Sequence, residues 1–388
     1  MTRLDRVNAF AQMRILLRTV NLTTRHYYDN VGKMLIDKFL YLNPVANPMQ
    51  EFRTDLAAAN LAPLWDMMRK LAPRGPEGGG EPVHWNWKTL RSKGLRAAEL
   101  ITAEQAERRV LVLENPAFAG EGRATNSLYA GIQILLPGEI AASHRHTASA
   151  IRLIMEGQGA YTAVDGERVT MFPGDFVVTP TGSFHDHGND GREPVLWLDG
   201  LDVFIVNLLN SAFGEDHPDR QQPILREAGA SAAQFSAGIL PAGFQAGSPR
   251  SSVFIWPYER SRQALWSLTR NERIDSALGV GLRFVDPATG KSPVRTMTAG
   301  MRMLPAGFAG ENYRSISGAV MAVVEGGGRI AFDGLKPLEL GPGDVFVVPS
   351  WRWHSFEASE DMVVFAFSDE ELQRHLGFWR EERAARRS

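Results

Sequence analysis

The chain has no cysteine in its 388 residues, so it can form no disulfide, thiolate metal site or sulfur nucleophile. Any metal it holds must sit on His, Asp or Glu. There is no charge excess either: 42 Lys and Arg face 44 Asp and Glu, a formal net charge of -2. That balance gives no electrostatic reason to expect nucleic acid or a membrane surface as partner. No apolar run approaches the roughly 18 residues of a membrane span, and the N-terminal stretch MTRLDRVNAFAQMRILLRTV is broken by arginines instead of forming the apolar core of a signal peptide. These absences predict a soluble, cytoplasmic protein whose main partner is a small molecule. What is present is ordinary for a globular chain, 44% hydrophobic and 22% charged, and long enough for two or three domains.

Apolar residues recur at three- and four-residue intervals in LDRVNAFAQMRILLRTV and EFRTDLAAANLAPLWDMMRKL, which predicts a helical arm over residues 1–72. The stretch PRGPEGGGEP then reads as a connector. Beyond it the pattern turns to short alternating runs such as RRVLVLENP, YAGIQILLPG and GAYTAVDGERV, the mark of strands. The β region contains a repeat. HRHTASAIRLIMEGQG, from His144, matches YRSISGAVMAVVEGGG, from Tyr313, and FPGDFVVTPTGSFH, ending at His185, matches GPGDVFVVPSWRWH, ending at His354. Both differences, 313 - 144 and 354 - 185, are 169, and Gly174/Gly343, Asp175/Asp344 and Pro180/Pro349 fall in the same register. The chain is therefore mainly β, with one module over residues 83–202 and its copy over 291–388, the latter ending in a helix. Residues 203–290 connect them and include a predicted helix at RSRQALWSLTRNERIDSAL.

In a strand, residues i and i+2 share a face, so His144 and His146 point to one side and Arg145 to the other. His185 brings a third imidazole from a second element. The run from Gly138 to His146, and the series Gly174, Pro180, Gly182, His185 and Asn189, resemble the two sequence motifs of the cupin superfamily, whose double-sheet barrels hold a metal between these strands. The general pattern also carries a metal-binding Glu shortly after the second His, where this chain has Ala150 or Ile151. Three neutral imidazoles would leave the charge of a divalent ion uncompensated, which suits an anionic bidentate ligand such as an aromatic carboxylate with an ortho-hydroxyl.

From Leu64 through HWNWKTL, ERRVLVLENP, LYAGIQILLPGE, the HRH block and WLDGLD to VVPSWRWHSF, the chain resembles the bicupin ring-cleaving dioxygenases that act on gentisate, salicylate and 1-hydroxy-2-naphthoate. The resemblance implies one Fe(II) per subunit, held in the N-terminal barrel by His144, His146 and His185. It also implies O2-dependent, extradiol-type cleavage between the carboxyl- and hydroxyl-bearing ring carbons, with gentisate the first expected substrate and salicylates or 1-hydroxy-2-naphthoate the alternatives. It places Arg108, Tyr129, Gly131, Gln133, Arg152 and His187 at the substrate, His187 and Asp199 in catalysis, and the protein in a homotetramer of aromatic catabolism.

Residue chemistry bears on several of these roles independently. Strand alternation from His146 aims Arg152 into the barrel, where a guanidinium can clamp a carboxylate. Arg108 could exchange roles with the adjacent Arg109. Asp199 could orient a ligand histidine or belong to a turn, and His187 could move a proton to or from a substrate hydroxyl. In the second copy the ligand positions read Tyr313, Ser315 and His354, which predicts a metal-free barrel that buttresses the first or binds something else. A non-enzymatic binding protein and a metal-dependent isomerase are the competing classes. The intact histidines with Arg152 oppose the former, and the missing Glu opposes the latter.

Overall fold

The computed structural model describes residues 47–236, 238–245 and 251–385; the first expected helical segment, residues 4–20, lies outside them. A first compact unit ends at Gly75. In it, α1 (Pro48–Ala58) starts at Asn47, whose side chain accepts from the Met49 amide, and α2 (Leu64–Leu71) follows. The pattern that predicts helix across this stretch is interrupted where Asn60 takes a left-handed φ of 56° and Pro63 precedes α2.

The second unit begins at Pro76. It opens with β1 (Val83–Trp85), α3 (Trp87–Leu100) and β2 (Val110–Val112). The first barrel follows as β3 (Tyr129–Leu135), β4 (Ile140–His146), β5 (Ala150–Glu156), β6 (Ala160–Val164), β7 (Glu167–Thr170), β8 (Phe176–Thr179), β9 (His185–Asn189) and β10 (Val195–Leu201). The connecting region holds α4 (Val203–Leu208), β11 (Gly214–Asp216), α5 (Ala230–Phe235), β12 (Ile255–Trp256), α6 (Tyr258–Asn271) and β13 (Val280–Arg283). The second barrel is β14 (Thr298–Leu304), β15 (Asn312–Ser315), β16 (Ala319–Glu325), β17 (Gly328–Phe332), β18 (Leu338–Leu340), β19 (Val345–Val348), β20 (His354–Ala358) and β21 (Met362–Ser368), and the chain closes with α7 (Glu370–His375) and β22 (Glu381–Ala384). Among the described residues no helix is long and apolar enough to cross a membrane.

Each barrel is two antiparallel sheets face to face. In the first, the order β12-β8-β5-β10-β3-β2 faces β11-β4-β9-β6-β7; in the second, β1-β19-β16-β21-β14-β13 faces β18-β17-β20-β15-β22. Alternation divides the strands of the larger sheets cleanly. On β3, β5 and β10, Ile132, Ile134, Ile151, Leu153, Leu196 and Leu198 join Met301, Met303, Val363 and Phe365 of the second barrel in one buried cluster. Phe176 of β8 lies 5.7 Å from Phe365 of β21, ring centre to ring centre. Burying such a side chain stabilises by about 1.5–3 kcal/mol, so the shared core makes the barrels energetically interdependent.

The repeat is also exchanged between barrels. β1 precedes the first barrel in sequence yet pairs with β19 of the second, and β12 precedes the second yet pairs with β8 of the first. The repeated Gly-Asp step seals both crossings. Asp175 accepts the Tyr258 amide at the start of α6 at 2.8 Å, and Asp344 accepts the Trp87 amide at the start of α3 at 2.7 Å, each carboxylate satisfying an otherwise orphaned helix N–H. Gly174, at φ +86°, leaves room for the Tyr258 ring, and Gly343, at φ +83°, for that of Trp87.

Candidate metal centre

One end of the first barrel is filled with apolar side chains, including Leu135, Ile154, Val177, Val195 and Trp197. Polar groups hold the other end. His144 and His146 lie on β4, and His185 on β9 directly opposite His144. The three ring centres are 4.2 to 5.1 Å apart, and one ligating atom from each imidazole falls within 4.8 Å of the others. The Nδ1 atoms meet backbone carbonyls: Ala142 O at 3.2 Å from His144, Ala148 O at 2.6 Å from His146 and Ser183 O at 3.0 Å from His185. In His146 and His185 an Nδ1–H donated to a carbonyl fixes the tautomer that turns the Nε2 lone pair to a metal; on His144 the same nitrogen also meets the Arg108 guanidinium, which can only donate. His185 Nε2 is buried with no partner among the described residues. Burial, reinforced by Arg108, depresses the His144 pKa to about 3, and burial holds His146 below and His185 well below the ordinary imidazole value. All three are therefore neutral, the form that binds metal. The donor set fits a divalent cation such as iron or zinc, with positions left over for other ligands.

Arg152 stands beside this cluster, 4% exposed. Its Nη1 donates to Thr179 Oγ1 at 2.6 Å, and its Nε lies 3.0 Å from Asp199 Oδ1, at an angle too bent for a hydrogen bond. The two residues face each other across β5 and β10, an opposite-charge cross-strand pair. Burial raises the Asp199 pKa to about 6 while Arg152 opposes the shift. Asp199 is thus a strand residue serving Arg152, and backbone carbonyls perform the ligand-orienting task expected of it. His187 is 1% exposed, and neither of its ring nitrogens has a partner among the described residues. Burial, with Arg152 next, holds its pKa well below the ordinary value. Gln133 Nε2 is likewise buried without a partner among the described residues, and the Trp197 indole lies beside Asp199 and helps to hold its pKa down against burial. Tyr129 and Gly131 share the inward face of β3 with Gln133, and a Cβ on Gly131 would come within 2.5 Å of Val110 and 2.8 Å of the Tyr129 hydroxyl.

The two adjacent arginines separate completely. Arg109 is 3% exposed and ion-paired with Glu139, with further bonds to Ile134 O and Ile101 O, so its work is structural. Arg108 donates to Ala142 O at 2.6 Å and lies against the His144 ring. A cavity of about 490 Å³ opens here, lined by Arg108, His144, Asp216 and Arg220 among others, and burial lowers the Arg108 pKa to about 10. Thr179 and Trp197 were not among the expected site residues. Trp197 was within reach of sequence reasoning, since it lies two positions before Asp199 and so shares its face; Thr179 depends on the β5–β8 pairing.

A double-sheet barrel holding three neutral imidazoles able to bind a metal, joined to a second barrel that has lost two of them, defines a bicupin. A family model for the cupin domain matches residues 131–204. The chain is 41% identical to gentisate 1,2 dioxygenase 1 of Aquipseudomonas alcaligenes over 87% of its length and 97% of that protein's. It is 36% identical to a gentisate 1,2-dioxygenase of a Streptomyces species, covering 86% of this chain and 95% of the other. The solved structure of salicylate 1,2-dioxygenase from Pseudoaminobacter salicylatoxidans, in its adducts with gentisate, superposes with a TM-score of 0.82 at 30% identity, covering 89% of this chain and 96% of that one. The chain belongs to the gentisate 1,2-dioxygenase family of ring-cleaving dioxygenases, as the HRH block and its flanking motifs led us to expect.

Proposed function

We propose that the protein opens the ring of gentisate with Fe(II) and O2, breaking the bond between the carboxyl-bearing carbon and the adjacent hydroxyl-bearing carbon. The observation that carries this reading is a buried guanidinium, Arg152, beside three neutral imidazoles and no ligating carboxylate. Held by His144, His146 and His185, iron would supply open positions for the substrate's carboxylate and hydroxyl oxygens and for dioxygen. The rest falls to the protein. Arg152 binds the carboxylate through charge-assisted hydrogen bonds, and Asp199 and Thr179 fix its approach. His187, neutral and without a partner among the described residues, is free to hydrogen-bond a substrate hydroxyl and so orient it. Gln133 Nε2 donates to a substrate oxygen, Gly131 lets Val110 and the Tyr129 hydroxyl pack close against β3 at the pocket wall, and Arg108 adds positive charge at the mouth. Both atoms of O2 enter the product. Anaerobic loading with Fe(II), followed by oxygen-uptake and ultraviolet assays with gentisate, salicylate and 1-hydroxy-2-naphthoate, tests the reading. Uptake with gentisate is expected, and no uptake with any of the three would refute it.

A further inference from the structure

At the constant offset of the repeat, the second barrel carries Met321 and Ser368 where the first has Arg152 and Asp199, so the buried ion pair is gone. A cation enters instead from another strand: Arg302 occupies the position of Gln133. Thr298, Gly300 and Arg302 share the inward face of β14 and line a cavity of about 400 Å³. This is within the size range of small-molecule pockets. Met321, Val348 and Ala366 supply apolar wall.

The charge of Arg302 is poorly met. Among the described residues its guanidinium has one protein bond, from Nη1 to Leu278 O at 3.2 Å, and no carboxylate at ion-pair distance. The acids nearest to it are committed elsewhere: Glu370 to Arg374 at 2.6 Å, Asp275 to Arg383 at 2.8 Å, and Glu381 to the Tyr313 hydroxyl at 2.9 Å. Thr298 Oγ1, also on the cavity wall, is buried with no partner. A half-buried guanidinium with most of its five donors unspent and an unpaired hydroxyl beside it form an incomplete polar site. The fork geometry of Arg matches a carboxylate, and the apolar wall fits the hydrocarbon part of such an acid.

We propose that the second barrel binds a small organic carboxylate at Arg302, in a site separate from the metal centre. The ligand class is a monoanionic acid of about the size of benzoate. The site requires no iron and no turnover, so its failure would leave the ring-opening reading intact.

Calorimetric titration of the full chain with benzoate tests the proposal. Wild type should show a binding phase that survives the double variant Arg152→Met/Asp199→Ser, because both residues lie in the other barrel and the pair is removed together. Arg302→Met should weaken that phase roughly 10- to 100-fold, the loss expected for hydrogen bonds to a charged group. Ala366→Phe, which keeps the charge and fills the cavity, should abolish it, and thermal melts would confirm that all three variants are folded. Benzoate binding that disappears entirely in the folded Arg152→Met/Asp199→Ser variant, or is unchanged in both second-barrel variants, would overturn the proposal. Sulfate competing as well as benzoate would overturn the assignment to carboxylates.

Discussion

Arg152→Met should cost about 3–5 kcal/mol of folding stability, because it strands the Asp199 carboxylate in a barrel interior where both side chains are almost wholly shielded, 5% and 6% exposed. Thr179 loses its bonded partner as well. The protein itself supplies the control, since the second barrel keeps its fold with Met321 and Ser368 at the corresponding positions. The double variant Arg152→Met/Asp199→Ser copies that solution and should recover most of the lost stability, replacing a buried pair by groups with no net charge. Function should not recover with it. With Arg152 the proposed anchor of the gentisate carboxylate, kcat/KM should fall roughly 10- to 100-fold in single and double variants alike. Urea denaturation gives the stability terms, and oxygen uptake at varied gentisate gives the kinetic ones. A double variant as unstable as the single one would show that the pair is not what the arginine serves in folding. Normal kcat/KM in the double variant would show that Arg152 does not bind substrate.

Other outcomes follow from the packing and from the titrating groups. Gly174→Ala combines a left-handed φ of +86° with a Cβ 2.5 Å from the Tyr258 ring; it should cost about 1–3 kcal/mol in urea denaturation, and wild-type stability would contradict the sealing role of that contact. Phe365→Ala empties part of the shared core and should cost about 3–5 kcal/mol while leaving one unfolding transition; two separated transitions would show that the barrels fold independently. Burial depresses the His354 pKa to about 4, below its unfolded value near 6.5. The unfolded chain therefore binds a proton first as pH falls, and up to about 3 kcal/mol of stability present above that range is lost between the two values. His354→Gln should flatten this part of the stability-pH curve, and an unchanged slope would refute the assignment.

What the sequence disclosed follows the range of its interactions. The pair His144 and His146 and the inward aim of Arg152 rest on two-residue periodicity, a local property that a single strand displays, while His185 rests on the residue spacing of a second motif. The partner of Asp199 does not, because Arg152 meets it only through the β5–β10 register, and that pairing is set by packing of both barrels. Arg108 and Arg109 are adjacent, and only the short β2 against β3 decides which is buried on Glu139. The exchange of β1 and β12 was hidden for a related reason. Asp175 and Asp344 stand in identical motifs, and nothing local says which helix start each one caps. The extent of α6 was partly legible: the predicted run continues to Leu278, whereas the helix stops at Asn271.

Counting iron on the purified, anaerobically loaded protein by elemental analysis tests the central claim, that the first barrel alone carries the metal. One iron per chain in wild type and in His354→Ala, with none in His144→Ala, is the expected result. Two irons per wild-type chain, or equal iron loss in the two variants, would contradict it.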